Sequence, residues 1–341
     1  MTEDSLSGTD TVKTYRAGRL GRIVLDRPKQ LNALDLTMAE GLARVLYAWR
    51  DDPGVQTVLL ESATPRAFCA GGDLKALYQI IANQGAAAAQ EAFSRAYKVM
   101  RVIAAYPKTT VSFLDGIAMG GGIGLGGHTR YRVVTERSVV AMPETSIGLT
   151  PDAGGSWLLS RAPGFSGLRL ALTGNRMNGV GAVMTGFADR MVPSETLPDI
   201  AALLETRTAK DVFALIAPLP KVNVQELDAC YDAPDIATVI RNLAERGGEE
   251  GQRDLLTLSN ACPFSVVLSW EAWHRARQLK TRDAAFLQEE MLVSHLIRRA
   301  DFTEGVRCRL IERDAQPAWA PATVRDVKRE EIEACFQGYA T

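Results

Sequence analysis

Two glycine clusters in the sequence could bind an anion through their backbone amides. The first is the segment 67–75 (AFCAGGDLK), and the second is the segment 115–127 (DGIAMGGGIGLGG). Each follows a predicted strand and precedes a predicted helix, so its N–H groups would lie free at the positive end of that helix. Glycine also lets a ligand approach those groups closely, because it has no Cβ. Two such clusters facing each other would form an oxyanion hole, and glycines that only permit tight turns are an equal alternative.

Two carboxylates, Glu144 and Asp152, lie in the segment 142–155, which is framed by prolines and glycines. They are eight positions apart, so they are not simply neighbours on one helix face. Paired carboxylates can act as base and acid when burial separates their pKa values. Each residue also has a purely structural interpretation. Asp152 could cap a helix that runs to Arg161, and Glu144 could be a solvated loop charge.

Other catalytic motifs are weaker or missing. Gly122, Gly124 and Gly127 satisfy G-x-G-x-x-G formally. The acidic residue of a dinucleotide site is not found at its expected distance, since Glu136 comes too early and Glu144 lies in a predicted loop. The sequence has no G-x-S-x-G elbow and no phosphate-binding P-loop motif, which disfavours a serine hydrolase of the α/β type and a P-loop nucleotide hydrolase.

The histidines and cysteines do not indicate a metal or disulfide framework. The three histidines are widely separated, and the five cysteines are odd in number and include no C-x-x-C pair. A reducing cytoplasm therefore fits best. Cys69 lies in a glycine loop before a helix, which could lower its pKa, but no histidine is near it in sequence. A small buried cysteine is the commoner case.

The elements that would position these groups follow from hydrophobic spacing. Strands are predicted at 23–25, 55–60 and 110–114. Asp35 is a predicted N-cap. The helix after Asp35 has an apolar face that comprises Met38, Leu42, Val45 and Trp49. A second amphipathic helix ends near Pro107, and its apolar face comprises Phe93, Tyr97 and Met100.

Strand and helix alternate over the first two hundred residues, which predicts an α/β fold. Segments 131–135 and 138–142 are predicted as a hairpin or two short strands. After Pro198 nearly every segment has helical spacing, and Pro263 suits the first turn of one of these helices. We therefore predict a catalytic α/β core at 13–200 and a helical region at 201–341 packed on it.

Composition narrows the class of protein. The chain has 341 residues, of which 46% are hydrophobic and 23% charged, as in an ordinary globular protein of one or two domains. Its net charge of -1 argues against nucleic-acid binding through a broad basic face. The polar, acidic beginning lacks the features of a signal or transit peptide, and no apolar stretch is long enough to span a bilayer. A cytoplasmic, soluble protein is expected.

The sequence resembles the crotonase (enoyl-CoA hydratase/isomerase) superfamily from about residue 20 to the end. Within it the chain looks most like the branch of 3-hydroxyisobutyryl-CoA hydrolases. The segments that carry the resemblance are 25–34 (LDRPKQLNAL), 66–73 (RAFCAGGD), 119–124 (MGGGIG), 142–155 (MPETSIGLTPDAGG), 301–307 (DFTEGVR) and 317–321 (PAWAP).

The resemblance implies a spiral of ββα units followed by helices, and it implies roles for particular residues. The amides of Gly72 and Gly121 would hold the thioester oxygen. Of the two hydratase glutamates, the first is replaced here by Gly124 and the second is retained as Glu144. The hydrolase branch shares that loss and has an acid at the position of Asp152, where hydratases usually have glycine.

The sequence departs from the hydrolase branch at two places. Arg95-Ala96-Tyr97 stands where Glu-Glu-Tyr is common, and Thr150 stands where an aromatic residue is usual. Both bear on the preferred acyl group more than on the type of reaction.

We expect an acyl-CoA thioester hydrolase that acts on 3-hydroxyisobutyryl-CoA in valine breakdown. Glu144 would attack the acyl carbon or activate water, and Asp152 would orient the substrate hydroxyl or the water. Arg27 and Lys75 are candidates for binding the CoA phosphates. No metal or redox cofactor is implied, and coenzyme A enters only as part of the substrate.

Two other functions compete with this prediction. A hydratase or isomerase on the same scaffold is the nearer alternative, and a non-catalytic CoA-binding protein is the more distant one. Retention of both Glu144 and Asp152 argues against the non-catalytic function. The acyl-CoA substrate is the one expected binding partner, with no nucleic acid and no membrane, and a homo-oligomer is compatible with the sequence.

Overall fold

Ten strands form two sheets within residues 2–220 and 227–337, the ranges that the computed structural model of the protein describes. The strands are β1 (Thr2–Asp4), β2 (Val12–Ala17), β3 (Leu20–Leu25), β4 (Thr57–Ser62), β5 (Ala67–Cys69), β6 (Thr109–Phe113), β7 (Ile117–Met119), β8 (Tyr131–Val134), β9 (Val139–Ala141) and β10 (Arg190–Met191).

The larger sheet has the order β1-β2-β3-β4-β6-β8-β10, and the smaller sheet has the order β5-β7-β9. Strands β1 to β3 are antiparallel, and every pair from β3 onward in the larger sheet is parallel, as are both pairs in the smaller sheet. Consecutive strands therefore alternate between the sheets three times, as β4 and β5, β6 and β7, and β8 and β9. This repetition is the predicted spiral of ββα units.

Sixteen α-helices lie within the same described ranges. They are α1 (Leu36–Arg50), α2 (Leu74–Gln84), α3 (Ala86–Ala104), α4 (Gly121–Gly126), α5 (Gly155–Leu159), α6 (Ser166–Thr173), α7 (Gly179–Met184), α8 (Leu197–Thr206), α9 (Ala209–Ala214), α10 (Asp228–Tyr231), α11 (Ile236–Arg246), α12 (Gly248–Asn260), α13 (Pro263–Ala276), α14 (Arg282–Leu296), α15 (Ala300–Val306) and α16 (Arg329–Ala334).

Several helix boundaries follow from local chemistry, and the sequence predicted those at Asp35 and Pro263. The Asp35 side chain accepts from the N–H of Met38 at 2.8 Å and starts α1. Pro263 occupies the first turn of α13, where its missing N–H costs no hydrogen bond. Gly247 ends α11.

The described residues form two compact units that alternate along the chain. The sheet unit comprises the described residues within Met1–Asp73, Arg95–Ala141 and Arg176–Val222, and it contains all ten strands. The helical unit comprises the described residues within Leu74–Ser94, Met142–Asn175 and Asn223–Thr341. The predicted division into 13–200 and 201–341 stays a prediction.

One hydrophobic core of the sheet unit lies between the larger sheet and helices α8 and α9. The central parallel strand β4 is buried along most of its length, which explains its uninterrupted apolar run. On the helices, Leu204 and Val212 are fully buried against this core. Tyr131 on β8 stacks on Phe213, with ring centroids 4.3 Å apart.

The five cysteines, all of them within the described residues, are buried and free. Of the helices in the described ranges, none is long and apolar enough to cross a membrane.

Candidate active site

The two glycine clusters follow neighbouring parallel strands of the smaller sheet. Strand β5 pairs with β7 in the register that puts Cys69 opposite Ala118. The sequence predicts that the clusters follow longer strands that end near Glu61 and at Leu114, and β4 and β6 do end just before them, but the sequence missed a further strand before each run of glycines. A short strand comes between in each case, and it brings the two loops to the same edge of one small sheet.

In the first loop, the N–H of Gly72 takes no part in the two backbone hydrogen bonds that connect this loop to Leu34. Leu34 donates to the carbonyl of Gly71 at 2.7 Å and accepts from the N–H of Asp73 at 2.9 Å. These two bonds flank Gly72, so its own N–H takes no part in either of them. Gly71 has a φ of +109°, which only glycine adopts readily, and this turn sets the direction of the loop.

The second loop presents the N–H of Gly121, the first residue of α4, which has no intrahelical acceptor. A Cβ placed on Gly121 would lie 3.3 Å from the backbone nitrogen of Gly72, and one on Gly71 would lie 3.7 Å from the nitrogen of Gly121. The two amides are therefore side by side. This geometry supports an oxyanion hole, whose assignment to Gly72 and Gly121 stays a prediction.

Cys69 is a buried residue that packs against Gly122 of the second loop. Its carbonyl oxygen is so close to Gly122 that a Cβ at position 122 would overlap it. Burial raises the pKa of the Cys69 thiol to about 12, so the thiol is not an activated nucleophile. The structural interpretation of this cysteine is the correct one.

The two candidate phosphate-binding residues have different surroundings. The Arg27 guanidinium lies 2.9 Å from the Asp73 carboxylate and 3.4 Å from that of Asp35, and it also donates to the carbonyl of Ala33 at 2.8 Å. Lys75 is solvent-exposed on the first turn of α2. The contacts of Arg27 tie the glycine loop to the start of α1, whereas the exposure of Lys75 suits a phosphate.

Glu144 is buried in the helical unit, at the start of the 3₁₀ helix Glu144–Ile147. It is 5% exposed, and among the described residues nothing hydrogen-bonds to its Oε2. Burial raises the pKa of Glu144 well above its ordinary value, and the carboxylates of Asp152 and Glu289 raise it further. The interpretation of Glu144 as a solvated loop charge is therefore wrong.

Asp152 is also buried, within electrostatic reach of Glu144. It is not the N-cap of the following helix, so the capping interpretation is wrong. Helix α5 begins at Gly155, and its N-cap is Gly154, which contributes no side-chain bond. The backbone turns between Asp152 and the helix through Ala153 and Gly154, whose φ angles are +56° and +76°.

A third buried carboxylate, Glu289 on α14, takes the capping role, and the sequence did not predict it. It is 1% exposed. Its Oε2 accepts from the N–H of Gly154 at 2.6 Å, and its Oε1 accepts from the N–H of Ser156 at 2.9 Å and from the Ser156 hydroxyl. Burial raises the pKa of Glu289 to about 8, whereas the donors from Ser156 and Gly154 oppose that rise.

A signal for Glu289 is nevertheless present in the sequence. It lies three positions after Phe286 and four before Val293, which places a carboxylate on the apolar face of α14. A charged residue on a buried face requires partners, and here these are the donors at the start of α5.

The two departures from the hydrolase branch have defined surroundings. The Thr150 hydroxyl is buried and lies 2.9 Å from the hydroxyl of Ser269. Arg95 is exposed and lies 3.3 Å from the Glu40 carboxylate. Within 2–220 and 227–337, no group of three or more metal-ligating side chains could hold a metal ion.

Comparison with known proteins identifies the family. The sequence model described as enoyl-CoA hydratase/isomerase matches residues 20–336. The chain belongs to the enoyl-CoA hydratase/isomerase family. The predicted membership of the crotonase superfamily and the predicted fold are both confirmed.

Relatives in this family carry names for different reactions. A curated "3-hydroxyisobutyryl-CoA hydrolase, mitochondrial" from Rattus norvegicus is 35% identical and aligns over 96% of this chain and 89% of its own length. A "3-hydroxyisobutyryl-CoA hydrolase 1" from Arabidopsis thaliana is 33% identical over 92% of this chain and 88% of its own.

A solved structure titled as a carnitinyl-CoA dehydratase from Mycobacterium thermoresistibile is 34% identical, with a TM-score of 0.91 and 97% of both chains covered. Another, titled as an enoyl-CoA hydratase from Rhodobacter sphaeroides, is also 34% identical, with a TM-score of 0.87 and coverage of 96% of this chain and 97% of its own. Since hydrolase and hydratase names occur at the same level of identity, the residues of the site must distinguish the reactions.

Proposed function

We propose that this protein hydrolyses the thioester bond of 3-hydroxyisobutyryl-CoA to give 3-hydroxyisobutyrate and free CoA. The observation that carries the proposal is the buried pair Glu144 and Asp152, in which one oxygen of Glu144 has no partner among the described residues. Curated relatives that align over nearly the whole chain bear the name of this reaction.

In the proposed reaction, the amides of Gly72 and Gly121 bind the thioester carbonyl oxygen. Their side-by-side arrangement supports this role. The oxygen gains negative charge when the acyl carbon becomes tetrahedral, and two fixed N–H donors stabilise that charge more than they stabilise the neutral carbonyl. Removal of one such donor typically lowers kcat by about 10²–10³-fold.

Glu144 acts in its ionised form by one of two routes. As a base it takes a proton from water, whose oxygen bonds to the acyl carbon. As a nucleophile its own oxygen forms that bond, and water then cleaves the resulting anhydride. In both routes the carbon–sulfur bond breaks, the sulfur leaves as thiolate and takes up a proton, and one water is consumed per thioester.

Asp152 orients the attacking water or the substrate hydroxyl. Its burial beside Glu144 supports the role, because a carboxylate held in a low-dielectric site is a strong hydrogen-bond acceptor. For the CoA phosphates we propose Lys75, which is exposed. Arg27 is the other candidate, and its contacts with Asp73 and Asp35 support a role in fixing the loop of Gly72.

The alternative is a hydratase or isomerase, which the titles of the solved structures favour. The resemblance assigns the first hydratase glutamate to Gly124, which has no side chain to transfer a proton. The resemblance also places Asp152 at a position where hydratases usually have glycine. These two positions together favour hydrolysis.

The proposal also covers the cellular compartment, the pathway, the cofactor requirement and the oligomeric state of the enzyme. Its free, buried cysteines suit a reducing compartment, for which we propose the cytoplasm, although several relatives are named as mitochondrial. We propose valine breakdown as the pathway and no cofactor beyond the CoA of the substrate. Assembly into a homo-oligomer stays a prediction.

A panel of acyl-CoA esters tests the proposal. Free-thiol release and enoyl-CoA hydration are measured in parallel on the same preparation. We expect thiol release to be fastest with 3-hydroxyisobutyryl-CoA, and hydration of enoyl-CoA esters to stay at background. Hydration faster than thiol release with every ester would establish the alternative function.

A further inference from the structure

The segment between Asp152 and helix α5 adopts a backbone that its sequence does not favour. Ala153 has a φ of +56° and Gly154 a φ of +76°, so two consecutive residues are left-handed. The Cβ of alanine makes this conformation unfavourable, and such residues persist only where the surroundings hold them. A local bond from the N–H of Gly155 to the carbonyl of Asp152, at 2.6 Å, closes the turn.

Glu289, which lies outside this turn in sequence, stabilises it through hydrogen bonds. Its carboxylate binds the N–H of Gly154, which is itself left-handed, and the N–H and hydroxyl of Ser156. The residues it connects are more than 130 positions apart in sequence, as the separation of 133 between Ser156 and Glu289 shows. Both oxygens of the carboxyl group accept, one from Gly154 and the other from Ser156, so the loss of either oxygen leaves a backbone donor without its acceptor.

The same turn is packed against the segment that carries Glu144. A Cβ at Gly155 would overlap the terminal methyl of Met142, two residues before Glu144. The start of α5 therefore contacts both Met142 and Glu289. A shift of this turn would move Asp152 relative to Glu144.

We propose that Glu289 is a positioning residue, which fixes Asp152 against Glu144 by holding the left-handed turn at Ala153 and Gly154. This inference rests on the proposed function only for its effect on catalysis. The hold on the turn is a separate property that can be measured without any substrate. Glu289 does not contact the reacting atoms in this account and is not a catalytic residue.

Glu289→Gln tests the inference, because the glutamine side chain has one accepting oxygen where the carboxyl group has two, so either Gly154 or Ser156 loses its acceptor. Glu290→Gln is the matched control, since Glu290 is the next residue on α14 and bonds to Ser94 instead. We expect Glu289→Gln to lower kcat per folded molecule at least about tenfold while KM changes less than about threefold, because misplacement of a catalytic group affects turnover more than binding. Glu290→Gln should match the wild type.

Hydrogen exchange of the Gly154 and Ser156 amides provides the readout that is independent of activity. We expect these amides to exchange at least about tenfold faster in Glu289→Gln than in Glu290→Gln. Unchanged exchange would overturn the inference. Faster exchange with unchanged kcat would also overturn it, since Glu289 would then be only a helix cap.

A milder variant covers the case in which Glu289→Gln does not fold. Ser156→Ala removes one of the three donors and keeps both backbone bonds, so we expect a fall in kcat of about twofold to tenfold and faster exchange of the backbone amide at position 156. Ser156→Ala indistinguishable from wild type in both measurements would overturn the inference. If the wild type releases no thiol while Glu289→Gln speeds exchange, the proposed function fails and the hold on the turn stands.

Discussion

The sheet unit and the helical unit contain different kinds of candidate functional group. In the sheet unit, the candidate groups are the backbone amides of Gly72 and Gly121, which are neutral and are positioned by strand register. In the helical unit, they are carboxylates that must be buried, which is costly without donors. Glu289 has three donors, whereas Oε2 of Glu144 has no partner among the described residues.

This difference indicates which groups serve the fold and which serve chemistry. A fully bonded buried carboxylate such as Glu289 stabilises a turn. A buried carboxylate with an unpartnered oxygen and a raised pKa, such as Glu144, is a typical feature of functional sites. The two units can therefore be impaired separately, by a change that removes a carboxylate or by one that blocks an amide.

The largest effect is expected from Glu144→Gln in the helical unit. Loss of the base or nucleophile should lower kcat by about 10²–10⁴-fold, and binding of CoA should be retained. Thiol release and calorimetric CoA binding measure the two properties. Turnover near that of the wild type would remove Glu144 from the mechanism.

The corresponding change in the sheet unit is Gly121→Ala. Its Cβ would lie 3.3 Å from the nitrogen of Gly72 and obstruct the space in front of that N–H, so we expect kcat to fall by about 10²–10³-fold. Gly181→Ala is the matched control, because its Cβ would also lie 3.3 Å from its nearest neighbour, the Met177 Cβ. A folded Gly121→Ala enzyme with the turnover of Gly181→Ala would exclude the oxyanion hole at this position.

Asp152→Asn distinguishes catalysis from capping within the helical unit. Because Gly154 is the N-cap and Glu289 supplies the acceptor, the change should leave the melting temperature unchanged or raise it by relieving repulsion with Glu144. We expect kcat to fall about 10²-fold. A lowered melting temperature with normal turnover per folded molecule would restore the structural role.

A pH titration of stability measures the cost of the buried Glu144. Its raised pKa means that the folded state keeps the proton to a higher pH than the unfolded state, so wild-type stability falls as pH rises above the ordinary value of 4.5. Glu144→Gln does not titrate. The free energy of unfolding of Glu144→Gln should therefore increase relative to that of the wild type as pH rises above about 5, as urea unfolding at a series of pH values would show. A constant difference would contradict the raised pKa.

The smallest effect is expected at the proposed phosphate contact. Lys75→Ala should raise KM for acyl-CoA severalfold, on the order of 1 kcal/mol, with kcat unchanged. Lys98→Ala is the control, since Lys98 is another exposed helical lysine. An equal rise in KM for Lys75→Ala and Lys98→Ala would exclude a specific phosphate contact.

Arg27→Ala should instead lower kcat, because the Arg27 guanidinium holds the loop of Gly72 in place through its ion pair with Asp73.

Local chemistry in the sequence predicted much of the fold. The Asp35 cap, the helix that starts at Pro263 and the alternation of strand and helix depend on neighbouring residues, and all three are confirmed. Strands β5 and β7 were missed because three residues show no hydrophobic period. They exist through pairing between positions such as Ala67 and Ile117, which are distant in sequence.

The carboxylate cluster was predicted in part for the same reason. Glu144 and Asp152 lie in one segment and could be found together, whereas Glu289 reaches them only through the packing of α14 against α5. The position of Asp152 just before a helix suggested a cap. No local sequence pattern predicted the left-handed turn at Ala153 and Gly154. Because of this turn, the N-cap of α5 is Gly154 and not Asp152.

Reaction of 3-hydroxyisobutyryl-CoA in H₂¹⁸O tests the central claim most directly, because water enters different atoms in the two competing reactions. Mass spectrometry of the products locates the label. Hydrolysis by the groups described here predicts free CoA and ¹⁸O in the carboxylate of 3-hydroxyisobutyrate, with the 3-hydroxyl unlabelled. Label in the 3-hydroxyl of an intact thioester would show reversible dehydration and would contradict the account.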